Sequence, residues 1–478
     1  MRVAFSRSPL ALRILVAAGI AAGIGIRIWI CLTPALGALD SDEAVPGLMA
    51  RHFLHGDLST FYWGQNYGGT VEIALLALAF LVGGANVAML RLVPIALYAV
   101  AALLVWRIGR RTIGEPSASV AALLVWLWPA YFVWRSTREY GYYGVLLICG
   151  LAVVLFALRL KERPNAPDAV ALGAALGLGW WSSPQIALVA VPVLAWLVWR
   201  RGPVVRYLPA VAGAAVVAGL PWVVANVRNG WVSLDVSPES DAAGTYGDRL
   251  TRLVTDGLPN AVGLRALVTR EWLLSPTLGH IAFWLLLAAL VAVLVWRRRS
   301  LAVVAVVLAS FPFAYALSGY TAYPDEPRYL GLIAPLLALL AGALLPDLRI
   351  AAVALVAATT LSVVGLEKLR DIGGFAYGSA PTSVAPVIRV LDRRHLTRAR
   401  ADYWIAFRVI FVTHERIIVA PTTTSRHRRY DELVARSDRV AHVFVAGASE
   451  ERSERASLVG AGFEAIPAGP YDVYVPRS

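Results

Sequence analysis

Apolar runs of about 20 residues, the length of a helix that crosses a bilayer, recur along the first 366 positions of this chain. They constrain everything else about it. They lie at roughly 10–32, 87–106, 117–134, 141–158, 169–186, 187–199, 207–227, 280–296, 301–318, 329–346 and 350–366, which makes about eleven spans. The fifth and sixth meet at Trp180-Trp181-Ser182-Ser183-Pro184-Gln185, where the two tryptophans read as an outer aromatic belt. The run 71–83 is short for a span and reads as a helix lying at the membrane surface. Only 16% of the residues are charged, against about 25% in a soluble protein, and mean hydropathy is +0.63. The fold class expected is an α-helical polytopic membrane protein. The first run is too long for the apolar core of a cleaved signal peptide and reads as a retained helix.

A net charge of +13 would suggest nucleic acid only if its location were ignored. The excess sits in short loops: Arg2 and Arg7, Arg107, Arg110 and Arg111, Arg159, Lys161 and Arg163, Arg200, Arg201 and Arg206, Arg297, Arg298 and Arg299, and Arg349. With the N-terminus cytoplasmic, every cluster falls on the cytoplasmic side, as the positive-inside rule requires. No nucleic-acid partner is expected. The loops 33–86, 135–140, 181–185, 228–279 and 319–328, and everything after 366, then face outward. Their acidic and aromatic content puts the polar chemistry there. No P-loop pattern occurs, and ATP is not supplied on that side. Cys31 and Cys149 both lie inside apolar runs and form neither a metal spacing nor a disulfide framework.

After residue 366 the apolar runs stop. Ile417–Ala420, Ala441–Val445 and Tyr471–Val475 read as strands, with Tyr430–Arg436 and Glu450–Val459 as helices between them. The division expected is a transmembrane module over 1–366 and a small extracytoplasmic α/β domain over 367–478.

The stretch 39–72, in the first outward loop, is the most polar and aromatic part of the first half. It packs Asp40, Asp42 and Glu43 into four residues, followed by His52, His55, Asp57, Tyr62, Trp63, Gln65, Asn66, Tyr67 and Glu72. Asp40 and Glu43 have the spacing of a helix capping box. Pro46 argues for a later start, since proline suits the first helical position and pushes Val45 from helical angles. The expectation is a helix over about 46–54 with the acids in extended chain before it. There they suit a general base and its partner, which needs a carboxylate within reach of an attacking hydroxyl. His52 and His55, three apart with Asp57 nearby, have a spacing that would seat a divalent ion. Solvated or interfacial histidines are the plainer reading, and no metal or other cofactor is expected.

An Asp-Glu pair in the first external loop resembles the GT-C membrane glycosyltransferases, in the branch of the protein O-mannosyltransferases and lipid A aminoarabinose transferases. Gly64-Gln65-Asn66-Tyr67-Gly68-Gly69, Arg328-Tyr329-Leu330 at the entry to a late span, and Ala401-Asp402-Tyr403-Trp404 are similar to bacterial members of that group. The resemblance implies a polyprenyl-phosphate sugar as donor, a cell-envelope glycan, lipid or protein as acceptor, and inverting transfer of one monosaccharide. It implies an aspartate of the pair as base. Asp42-Glu43 match the pair, and Asp40 is an additional acid, which leaves open which aspartate is the base. Basic and tyrosine residues near Arg328 and Tyr329 serve the lipid phosphate in that group.

Arg328 otherwise reads as a snorkelling interfacial arginine; as a site it would fork onto a phosphate oxygen. Arg138 and Tyr142, with Arg135 and Tyr143, flank the short external turn 135–140; arginines there run against the loop-charge bias, which favours an anion site for the donor's lipid phosphate, with surface anchoring as the alternative. Arg27 is a charge inside a span and so a candidate donor-binding residue, with snorkelling as its alternative. Gln65, Tyr67, Glu72 and His55 are the expected sugar-facing residues of the loop. A lipid flippase would keep its ionisable groups near the bilayer midplane, whereas most carboxylates here lie outside the spans. A polymerase or ligase of lipid-linked glycans shares substrates and compartment and stays open. The compartment expected is a bacterial plasma membrane, from Ala, Val and Arg contents resembling those of high-GC bacteria. Reporter fusions at Arg111, Arg163 and Arg299 are expected to report cytoplasm, and fusions near Gly244 and Gly447 the exterior. A cytoplasmic signal from the Gly447 fusion would overturn this topology.

Overall fold

The computed structural model describes residues 9–199, 203–234, 244–319, 328–374 and 381–477. Arg2, Arg7, Arg200, Arg201 and most of the 319–328 loop lie outside the described residues.

All eleven apolar runs fall on helices. Among the described residues, five helices are by themselves long and apolar enough to cross a membrane: Pro9–Leu32, Val87–Thr112, Tyr143–Glu162, Pro276–Trp296 and Leu348–Asp371. A sixth candidate is the pair Val204–Ala218 and Leu220–Arg228, bent by 60°. The other runs are shorter helices, and several breaks sit at prolines. Ser117–Leu127 gives way to Ala130–Arg135 at Trp128-Pro129, where Trp128 is extended. The Ser182–Ala187 junction carries Pro184 after an extended Ser183. Proline brings no N–H and disfavours helical angles in the residue before it. An apolar run long enough to span can therefore be two short helices. Residues 71–83 form the helix Val71–Gly83.

Contacts divide the chain into two units. One gathers residues 1–30, 94–137 and 142–372; the other gathers 31–93, 138–141 and 373–478. The sequence division placed 33–86 with the spans, whereas the contacts place this loop with the C-terminal segment.

In the first unit, helix Ala166–Ser182 packs on helix Leu208–Ala218 through Gly173 and Gly177. A Cβ at Gly173 would lie 2.2 Å from the Val211 carbonyl oxygen, and one at Gly177 2.2 Å from that of Ala215. Two glycines four apart thus let the backbones touch, the small-xxx-small contact of membrane helices.

In the second unit the C-terminal segment forms a five-stranded sheet. Its strands are β1 (Arg398–Ala401), β2 (Ile418–Pro421), β3 (Ala441–Val445), β4 (Phe463–Ala468) and β5 (Tyr471–Pro476), in the order β2-β1-β3-β5-β4. β1 runs parallel to β2 and β3, while β5 is antiparallel to β3 and β4. Three strands and two helices correspond to those read from the sequence. β1, β4 and the helices Ala385–Arg393 and Tyr403–Val412 are additional. Tyr403–Val412 packs on the loop helix Ser41–Leu54, with Phe411 lying against Gly47.

Gly173→Leu is expected to cost about 1–3 kcal/mol through overpacking, because the obstructing atom is backbone. A lowered thermal midpoint of the detergent-solubilised protein checks it; an unchanged midpoint would show that the two helices can separate freely.

Candidate active site

The loop helix begins at Ser41 and runs to Leu54, with Pro46 inside it. This corrects the expected start near 46. Asp40 is the N-cap, and its Oδ1 accepts from the Glu43 N–H at 2.7 Å, so the capping spacing prevails over the proline signal. Pro46 leaves the Asp42 carbonyl without its intrahelical donor. The Tyr62 hydroxyl, on the neighbouring turn, donates to that oxygen instead, at 3.2 Å.

Helical spacing turns Glu43 inward, where it is 0% exposed. Arg91 grips it with two parallel bonds, Nε to Oε1 and Nη2 to Oε2, each 3.1 Å. Arg138 Nη1 donates to Oε2 at 2.5 Å and to the Ala38 carbonyl at 2.5 Å, while Nη2 donates to the Leu36 carbonyl. Burial alone would raise the Glu43 pKa; Arg91 and Arg138 outweigh it and hold the carboxyl below its ordinary value. Glu43 therefore anchors the helix start. Arg138 lies with the acids, engaged by Glu43.

The two aspartates differ. Asp40 has both oxygens engaged, the second by the Tyr140 hydroxyl at 2.8 Å. Burial, and next the Glu43 charge, push its carboxyl up to about 7. Asp42 is half-exposed. Its Oδ1 accepts from the Tyr403 hydroxyl at 2.5 Å, and no hydrogen bond is found on its Oδ2 among the described residues. The guanidinium of Arg426 lies 5.7 Å from the Tyr62 ring and 5.6 Å from that of Tyr403.

Gly64 through Gly69 form a tight turn, closed by the Tyr62 N–H on the Gly68 carbonyl at 2.7 Å and a bridge from Phe61 to Gly69. Its tip lies against Ser425 and Arg426, and Gly64 has φ +69° there. A side chain is disfavoured on both counts. Gln65 and Tyr67 are half-buried, Glu72 is buried, and His55 is exposed with Nδ1 on the Arg51 carbonyl at 2.8 Å.

His52 ties the same helix to the C-terminal segment. Its Nδ1 is 2.9 Å from Asp57 Oδ2 and its Nε2 2.9 Å from Glu415 Oε1. When protonated, the imidazole donates to both carboxylates at once. Glu415, and Asp57 after it, raise the His52 pKa against the opposing effect of burial. Burial would raise Glu415, but its hydrogen bonds from His52 and Tyr430 hold it down at about 2. Trp63 stacks on His427 at 4.0 Å. Burial, then the His52 charge, lower the His427 pKa. With both His52 nitrogens on carboxylates, no group of three or more His, Cys, Asp or Glu is placed to hold a metal ion among the described residues.

The remaining candidates lie in the first unit. Arg328 opens a 3₁₀ turn with Tyr329 and lines a pocket with Arg135, Tyr98, Tyr131, Tyr143 and Gln185. Arg135 sits over the Tyr143 ring at 4.5 Å, and Tyr142 stacks on Tyr143 at 4.6 Å. Arg27 lies 3.5 Å over the Trp126 ring and donates to the carbonyls of Gly23 and Trp126. That is a helix-packing contact.

Sequence reasoning missed Arg91, Tyr140, Glu415 and Arg426, and it carried Tyr403 only as part of a motif. Arg91 had a signal: it is a charge inside an apolar run, the same criterion that singled out Arg27.

Residues 71–224 match the family described as dolichyl-phosphate-mannose-protein mannosyltransferase. No curated protein matches the sequence. Among solved structures, the chain is similar to ArnT of Cupriavidus metallidurans bound to undecaprenyl phosphate, at 14% identity over 95% of this chain and 97% of that one, with a TM-score of 0.61. ArnT in the apo state gives 13% identity over the same shares and a TM-score of 0.58. The apo oligosaccharyltransferase of Archaeoglobus fulgidus is similar at 13% identity over 91% of this chain and 69% of that one, with a TM-score of 0.51. At these identities the likeness is one of fold. The fold so defined is the one that ArnT and the archaeal oligosaccharyltransferase adopt.

The His52 ion pairs make stability depend on pH. Because the folded pKa is raised above the ordinary 6.5, their contribution is complete below that value and is lost as pH rises through the folded pKa. The thermal midpoint is expected to fall as pH rises above about 6.5 and through the raised folded pKa, and His52→Gln is expected to remove most of that dependence. An equal decline in the variant would exclude His52 as its source.

Proposed function

We propose that the chain is an integral-membrane glycosyltransferase that moves one hexose or pentose from a polyprenyl-phosphate donor to a hydroxyl on a cell-envelope glycan, lipid or protein. One observation carries the reading: on a GT-C fold, Asp42 is the acid of the cluster that is half-exposed with an oxygen that no described residue engages. Asp40 is committed to capping and to Tyr140, and Glu43 to two arginines. Asp42 is accordingly the base.

In the reaction, the acceptor O–H gives its proton to Asp42 and its oxygen bonds to the anomeric carbon. The bond from that carbon to the phosphate oxygen breaks, and its electron pair leaves with the polyprenyl phosphate. Attack opposite the leaving group inverts the centre. Arg328 and Arg135, which line one pocket of the first unit, suit a phosphate group, since a guanidinium fork matches its oxygens. The undecaprenyl phosphate bound by ArnT supports a lipid-linked donor. We place the protein in a bacterial plasma membrane, with the N-terminus inside and the first loop and residues 367–478 outside. The donor there is a sugar already carried across on its lipid.

Purified protein is expected to transfer radiolabelled sugar from a polyprenyl-phosphate monosaccharide to a crude cell-envelope acceptor, and to ignore the matching nucleotide sugar. Asp42→Asn is expected to slow transfer by roughly 10²–10⁴-fold with the protein still folded. Transfer from the nucleotide sugar alone, or movement of whole oligosaccharides, would overturn the reading.

A further inference from the structure

Asp42 is held twice. The Tyr62 hydroxyl fixes its backbone carbonyl, and the Tyr403 hydroxyl fixes Oδ1 of its side chain. With both ends gripped, the side-chain torsions are set and the direction of Oδ2 is determined. Tyr403 is itself placed by the motif that contains it. Asp402 caps the helix Tyr403–Val412 through the Trp404 N–H at 2.8 Å, which makes Tyr403 its first residue. Ser41 Oγ then donates to the Tyr403 carbonyl at 2.6 Å. Residue 41 thus grips the backbone of residue 403, while residue 403 grips the side chain of residue 42.

We propose that Tyr403 is a positioning residue of the transfer reaction: its hydroxyl holds one oxygen of Asp42 so that the other faces the acceptor hydroxyl. The inference rests on the reading of Asp42 as the base. Tyr403 is 5% exposed. Burial, then the Asp42 charge, push its pKa well above the ordinary range, so the phenol stays a donor throughout the working pH. Arg426, beside both tyrosine rings, adds a positive charge on the same side. In the step itself, the acceptor proton passes to Oδ2 while Oδ1 keeps its hydrogen bond. The sugar's anomeric carbon changes partners from phosphate oxygen to acceptor oxygen.

Tyr403→Phe keeps the ring and its packing and removes only the hydroxyl. In the full-length protein, with polyprenyl-phosphate mannose or polyprenyl-phosphate arabinose as the probe donor, the rate per folded molecule is expected to fall about 10- to 100-fold, the range that small misplacements of reacting groups produce. KM for the donor is expected to change little, since no donor contact is lost. In an Asp42→Ala background the same substitution is expected to cost nothing further. A thermal-stability cycle over Tyr403→Phe, Asp42→Ala and the double variant reads the contact independently of any donor, and the two effects are expected to be non-additive. Wild-type turnover in Tyr403→Phe, or strict additivity in the cycle, overturns this inference alone while loss of activity in Asp42→Asn keeps the base. Full activity in Asp42→Asn overturns the base assignment and this inference together.

Discussion

The buried contact of Glu43 with Arg91 and Arg138 is the constraint from which the second unit follows. A carboxylate removed from water loses its hydration, and only well-aligned partners make that tolerable. Here a fork from Arg91 and a third bond from Arg138 supply them. The partners lie 48 and 95 residues along the chain, so one side chain gathers three separate segments. Losing Glu43 would leave two buried guanidiniums without their counter-charge, the kind of loss that costs about 3–5 kcal/mol. With Glu43 turned inward, Asp42 is directed elsewhere by the helical turn alone. The DE pair thus divides into an anchor and an available acid through geometry that two adjacent residues on a helix impose.

The sequence made some of this legible. Three carboxylates directly after an apolar run mark a place where charge has a purpose, and the run lengths mark a membrane protein. The strands at 441–445 and 471–475 were visible as β-branched and aromatic runs. β1 was not, because Arg398-Ala399-Arg400-Ala401 offers only small and charged residues; its two alanines are buried and its sheet position comes from its neighbours. The helix start was misread for a related reason. Pro46 is a sound local argument against a helix over 41–45, but the carbonyl it leaves open is satisfied by Tyr62, twenty residues away. Local propensity carries no record of such a partner.

The candidate site follows the same pattern. Asp40 and Asp42 are equivalent by type and spacing, and nothing in the sequence ranks them. Tyr140 on one and Tyr403 on the other separate their roles, and those tyrosines lie 100 and 361 residues distant. The pocket around Arg328 and Arg135 was foreshadowed by arginines placed against the loop-charge bias. The surrounding tyrosines come from helices whose apolar faces hide them among ordinary core residues.

The grip between residues 41–42 and residue 403 also orders events during biosynthesis. Asp42 leaves the ribosome early, and Tyr403 follows only after every apolar run has been made. Until then the acid lacks its hydroxyl partner, and the loop helix lacks the helix that packs on Gly47. A chain halted midway carries the acids without their setting. The setting of Asp42 is therefore completed only with the last quarter of the polypeptide.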